Sequence, residues 1–162
     1  MSKTHELKET TYERSLAKGL LAGLIGGLVA TAAKTMAEKI YPPRTHGEPE
    51  PPILLAEKIA GHRMERAKAL AAGATIHWGF GALTGAAYGA LAEYYPQATA
   101  KDGAGFGMAL TSLTHGTVLP AIGLAATPEH QTVRERTSEM ATHVVYGVVT
   151  ETVRRVVRRM LG

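Results

Sequence analysis

Charged side chains divide the chain into charge-free stretches and polar connectors. Gly19 to Ala33, Ala69 to Ala92, Gly103 to Pro128 and Met140 to Thr150 carry no Asp, Glu, Lys or Arg. Within and around them the apolar positions follow helical periodicity, and no strict alternation suggests strands. The pattern predicts one all-α domain, 1–162, with long helices at about 15–40, 69–95, 103–127 and 132–160. Pro42 and Pro43 end the first helix. Between the first two, residues 41–67 form a Pro-rich loop, YPPRTHGEPEPP, and a short amphipathic helix with Ile53, Leu54, Leu55 and Ile59 on its apolar side.

The uncharged lengths suggest membrane crossing. About 20 apolar residues span a bilayer, and Ala69 to Ala92 suffices. The first stretch is shorter, but Lys18 and Lys34 can snorkel to extend it. Pro120 interrupts the third stretch and should free a carbonyl near Gly116. Met140 to Thr150 is too short to cross alone, so Glu139 and Glu151 must lie at its boundaries or inside. Glu139, His143, Gly147 and Glu151 recur every four residues and share one helix face. The expected fold class is therefore a four-helix integral membrane bundle with a short amphipathic helix between helices 1 and 2.

Composition fits closely packed helices. Aromatic residues make up 6% and glycine contributes 18 residues, which suits backbone contact through small side chains. Gly23, Gly27, Ala30 and Thr31 form such a face on the first helix. The mean hydropathy of −0.03 pulls the other way, a deficit traceable to the polar tails and the loop. The net charge of +4 gathers in no nucleic-acid-binding patch. Arg154, Arg155, Arg158 and Arg159 are expected to anchor the last helix to anionic headgroups, and this cluster suggests cytoplasmic termini. Lipid, further copies of the chain or a larger membrane complex are the expected partners, with no nucleic acid. The absence of cysteine excludes disulfides and thiolate ligands.

The candidate chemistry lies in three histidines. His77, His115 and His143 each sit inside a different charge-free stretch, where an imidazole is costly without a partner. In an up-down-up-down bundle they fall at similar depth, which predicts one polar centre. Glu139 and Glu151 are its candidate carboxylates, with Lys34, Tyr88 and Tyr146 as possible neighbours. Such a centre could bind a transition metal or haem, or pass protons. The competing structural explanation has each imidazole donating to a helix carbonyl or to Thr84, Thr111 or Thr142. Lys34 and Glu38, four residues apart, are expected to form a boundary ion pair.

The order of short motifs resembles the YagU-like family of bacterial inner-membrane proteins, a family of unknown function. They are a Gly-rich first helix ending in Lys34 and followed by Pro42, Pro43 and Arg44, then His77 ahead of FG and YG, and Pro96. Phe106, Gly107, His115, Pro120, Gly123, Leu124 and Pro128 follow. Ser138, Glu139, His143, Glu151, Arg154 and Arg155 complete the series. The resemblance implies a multi-pass inner-membrane protein with a histidine in each of the last three spans, and it brings no mechanism. The expected function is a buried His/Glu centre that handles a metal, haem or protons. Its rivals are a non-catalytic accessory subunit of a membrane complex and a soluble cofactor-binding bundle.

Overall fold

The computed structural model describes residues 13–45 and 47–162. The polar segment 1–12 and His46 of the Pro-rich loop lie outside the described residues. Five helices form, α1 (Leu16–Ile40), α2 (Pro51–Ala60), α3 (Arg66–Tyr94), α4 (Ala104–Leu113) and α5 (Val133–Met160), with no strand among the described residues.

Local chemistry sets their ends. The Ser15 hydroxyl accepts from the Lys18 N–H to cap α1. Pro51 and Pro52 occupy the first turn of α2, where a missing N–H is harmless, and Gly61 ends it in the left-handed conformation. Thr132 caps α5 by accepting from the Glu135 N–H at 3.1 Å, the Thr-x-x-Glu spacing of a capping box. Between α3 and α4 the chain passes through a 3-10 turn, with Lys101, Asp102 and Gly103 all at positive φ.

Glycine determines how closely the helices approach. A Cβ on Gly23 would overlap the Gly85 carbonyl oxygen, and one on Gly89 would overlap that of Gly19. Thus α1 and α3 touch backbone to backbone. Gly26 does the same against the Thr150 carbonyl of α5, and Gly107 of α4 against that of His143. Side by side the long helices run α3, α1, α5, α4. The arc does not close. Helices α3 and α4 barely approach each other, meeting at the stacked rings of Tyr88 and Phe106 with centroids 4.3 Å apart. At the opposite end α2 packs on α3 and reaches across, its Lys58 Nζ donating to the Ile122 carbonyl at 2.5 Å.

The third stretch departs from expectation. It is not one helix to residue 127: α4 gives way to a π-helical turn, Thr114–Val118, and helical structure ends at Ala121. Pro120 supplies no N–H to the carbonyl one turn earlier, and Gly123, at φ 72°, reverses the chain. Gln131 Nε2 then donates to the His115 carbonyl at 3.0 Å and to that of Ala126 at 2.8 Å.

Two basic residues are also placed differently. Arg154 and Arg158 do not face outward as headgroup anchors. Both are buried: Arg154 against Glu151, and Arg158 with its Nε 2.5 Å from Glu93 of α3. Arg158 also donates to the Glu13 carbonyl, and Lys18 to that of Gly162, so both ends of the described chain lie together.

Many polar and charged side chains are buried beside the apolar core of Ala30, Leu110 and Tyr146. Among the largest fully buried side chains are Tyr88, Glu151, Thr31, Thr142 and Thr150, and Lys34, Glu93 and Glu139 are buried too. Leu20, Leu24, Leu28, Val29, Phe80, Leu83, Leu91 and Leu113 are exposed. Among the described residues, α1 alone qualifies as a membrane span by length and composition. The expectation of four spans is met on that measure in one helix.

Candidate metal centre

A cavity of about 730 Å³ occupies the gap between α3 and α4, beneath α2. His77, His115 and His143 all line it, together with Lys34, Glu139 and Tyr146. The helices deliver each residue differently. His77 comes from the middle of α3, His143 from the buried face of α5, and His115 from the π-helical turn. An extra residue in that turn re-aims the side chains that follow it, a common device at functional sites.

Three of these residues form a tight group. His115, Glu139 and His143 each offer one ligand atom within 4.8 Å of the others. The two rings meet edge to face, with centroids 5.1 Å apart. His115 Nε2 lies 3.3 Å and His143 Nδ1 3.7 Å from Glu139 Oε2. Neither contact is aligned as a hydrogen bond, and Oε2 and His115 Nδ1 are both buried without a hydrogen-bond partner.

The backbone fixes one tautomer. His143 Nδ1 is 2.7 Å from the Glu139 carbonyl oxygen. A carbonyl accepts and never donates, so the proton of the neutral ring sits on Nδ1 and Nε2 presents a lone pair. This is the carbonyl contact that the structural explanation anticipated for a histidine, and it still leaves a ligand atom available. Such a second-nitrogen bond orients many metal-ligating histidines.

Cations hold the carboxylate. Arg44 Nη1 donates to Glu139 Oε1 at 3.2 Å, and Arg44 Nη2 lies 3.4 Å from Glu135. Lys34 pairs with Glu38, as the spacing suggests, and its Nζ also stands 4.0 Å from Glu139 Oε2. The supposed boundary pair therefore belongs to the polar centre. Arg44 was not predicted as part of the centre. Its position after two prolines was the available signal, because that turn folds the loop back onto α5.

The other candidates are dispersed. His77 stands apart from the group, its Nε2 3.3 Å from the Thr35 hydroxyl. Glu151 lies twelve residues beyond Glu139 on α5, roughly 18 Å along the helix at 1.5 Å per residue. It accepts from Tyr88 at 2.9 Å and from Arg154 Nε at 2.6 Å. Sharing a helix face does not place two side chains in one site, so the structure assigns Glu151 and Tyr88 to a separate buried network. Tyr146 donates to the Gly81 carbonyl at 2.6 Å, which ties α5 to α3.

Fold and site together define a small α-helical protein built around a buried His–Glu group beside a cavity. The chain belongs to the family described as a protein of unknown function (DUF1440), which matches residues 28–152. That stretch includes His77, His115, Glu139 and His143. No curated protein and no solved structure matches the chain.

Proposed function

We propose that this protein is a multi-pass membrane protein that binds a transition-metal ion through His115, Glu139 and His143. The observation carrying the metal reading is the group itself: two imidazoles and a carboxylate converge, with the buried Glu139 Oε2 facing His115 Nε2 and making no hydrogen bond. Two histidines and one carboxylate with open positions toward a cavity suit iron, zinc or a similar divalent ion. An ion fits better than a haem, because the edge-to-face contact of the two rings leaves no slot for a porphyrin between them. His77 lines the cavity beyond the immediate ligands, and we assign no ligand role to Glu151.

The membrane reading rests on the inverted surface. Exposed leucines surround buried Glu, Lys and Arg, an arrangement that water penalises and a bilayer accommodates. On α5 the side chains from Met140 to Val153 are uncharged wherever they face outward. Resemblance to the YagU-like proteins points to the bacterial inner membrane. A second reading, proton transfer, is supported by the same close series of Lys34, Glu139, His115 and His143. A non-catalytic accessory subunit, covered by partners on its apolar faces, is the remaining rival.

Equilibrium dialysis of detergent-purified protein against Zn²⁺ tests the metal reading: about one ion per chain is expected. A protein that binds no zinc with these residues intact would leave proton transfer or assembly. Recovery of the protein in a clear, detergent-free salt extract would contradict the membrane reading.

A further inference from the structure

The cavity is not enclosed by the helices that form it. Because α3 and α4 diverge from the Tyr88–Phe106 contact, its wall includes Leu70, Trp78, Phe80, Val118 and Ile122. Each of these side chains is also exposed to solvent. The cavity thus opens sideways, through the apolar surface, and not only toward a polar end. Its volume lies within the range of small-molecule sites, about 300–1,000 Å³.

Its charges are arranged unevenly. Lys34, Lys39 and Arg44 line the polar end against Glu38, Glu48, Glu50 and Glu139. With neutral imidazoles, which ligation requires, the lining carries one negative charge in excess. A divalent ion would turn this into one positive charge, and three protein ligands would leave it positions open to the cavity.

We infer that the cavity binds a single-chain amphiphile with a carboxylate head, entering sideways between α3 and α4. Its head would take an open position on the ion held by His115, Glu139 and His143, and its tail would lie along Trp78, Phe80, Val118 and Ile122. One carboxylate restores neutrality at the polar end, and the apolar wall receives the hydrocarbon. This inference rests on the metal and membrane readings above. It further requires that ion and amphiphile each strengthen binding of the other.

Trp78 is the chain's sole tryptophan and lines the cavity, so its fluorescence reports occupancy. The probe is 12-bromododecanoate, whose terminal bromine quenches indole on contact, added to protein in an uncharged maltoside detergent. The zinc-loaded protein should show saturable quenching that unlabelled dodecanoate reverses. Removal of zinc should weaken it about tenfold, and 1-bromododecane should give only the unsaturating quenching of micelle partition. Phe80→Glu, at an exposed position on α3, which carries none of the three ligands, should abolish the saturable component while zinc binding persists. Zinc bound at one per chain, with quenching that is unsaturable or indifferent to zinc, would overturn this inference and leave the metal reading intact. Failure of zinc to bind in dialysis would overturn the metal reading itself and, with it, the ion-bound head proposed here.

Discussion

His143 Nδ1 lies 2.7 Å from the backbone carbonyl of Glu139, one helical turn before it. The contact links two ligands of the proposed centre through the helix that carries both. It fixes the ring orientation and directs the Nε2 lone pair away from the backbone. The Glu139 side chain is held separately by Arg44, which reaches it from the loop after α1. Two of the three ligands are therefore positioned before any ion arrives, and such preorganisation separates a site from a chance cluster.

Replacement of His115 or His143 by Leu should lower zinc affinity about 100-fold or more, since orienting contacts alone are worth about 10–100-fold. His77→Leu should change it by less than about tenfold. Competition titration against a chromophoric chelator distinguishes these outcomes. Equal losses in all three variants would place His77 among the ligands.

Glu139→Gln conserves shape and can still accept from Arg44, but it removes the anionic ligand. Zinc binding should fall by about 100-fold or more, with the melting temperature in detergent changed little. A Glu139→Gln variant that binds zinc as tightly as the parent would show that the carboxylate is not a ligand.

The glycine contacts give a stability test. Gly85→Ala places a methyl where the Gly23 carbonyl and Gly27 Cα stand, and should destabilise the protein by about 1–3 kcal/mol. Gly79→Ala, also on α3, meets nothing within 4 Å and should stabilise by about 0.5–1 kcal/mol through helix propensity. Thermal unfolding in detergent, followed by circular dichroism, measures both. Similar effects at the two positions would contradict the backbone contact of α1 and α3.

Glu93 and Arg158 form a buried pair between α3 and α5. Arg158→Met should destabilise by about 3–5 kcal/mol because it leaves a carboxylate buried without this partner. The double variant Glu93→Gln with Arg158→Met should lose less than the sum of the single changes. Additive losses would mean that the two residues act independently.

The helices were legible because charge-free runs and helical periodicity mark their bodies, and Pro42 and Pro43 stop the first of them. The small-residue face of α1 was legible from Gly23 and Gly27, since spacing of four places them on one side. The histidines were recognisable as costly insertions, and all three do line one cavity. Which of them group together was not readable. His115 depends on the π-helical turn, and no periodicity announces an extra residue in a turn. That Glu151 lies apart from Glu139 and His143, beside Tyr88 and Arg154, was not readable either, because a shared face says nothing about depth along α5. Arg158 looked like a surface cation because its partner, Glu93, is 65 residues away. Such pairing exists only after the helices meet.

A cobalt titration tests the central claim most directly. Co²⁺ in a low-symmetry site of nitrogen and oxygen ligands absorbs visibly, and the bands report ligand number and type. Detergent-purified protein should develop visible bands that saturate at about one Co²⁺ per chain, a single divalent site. Zn²⁺ should displace the Co²⁺, following the affinity order of divalent ions, and both His115→Leu and His143→Leu should abolish the bands. Absence of saturable bands, or bands that survive both substitutions, would contradict a metal centre at His115, Glu139 and His143.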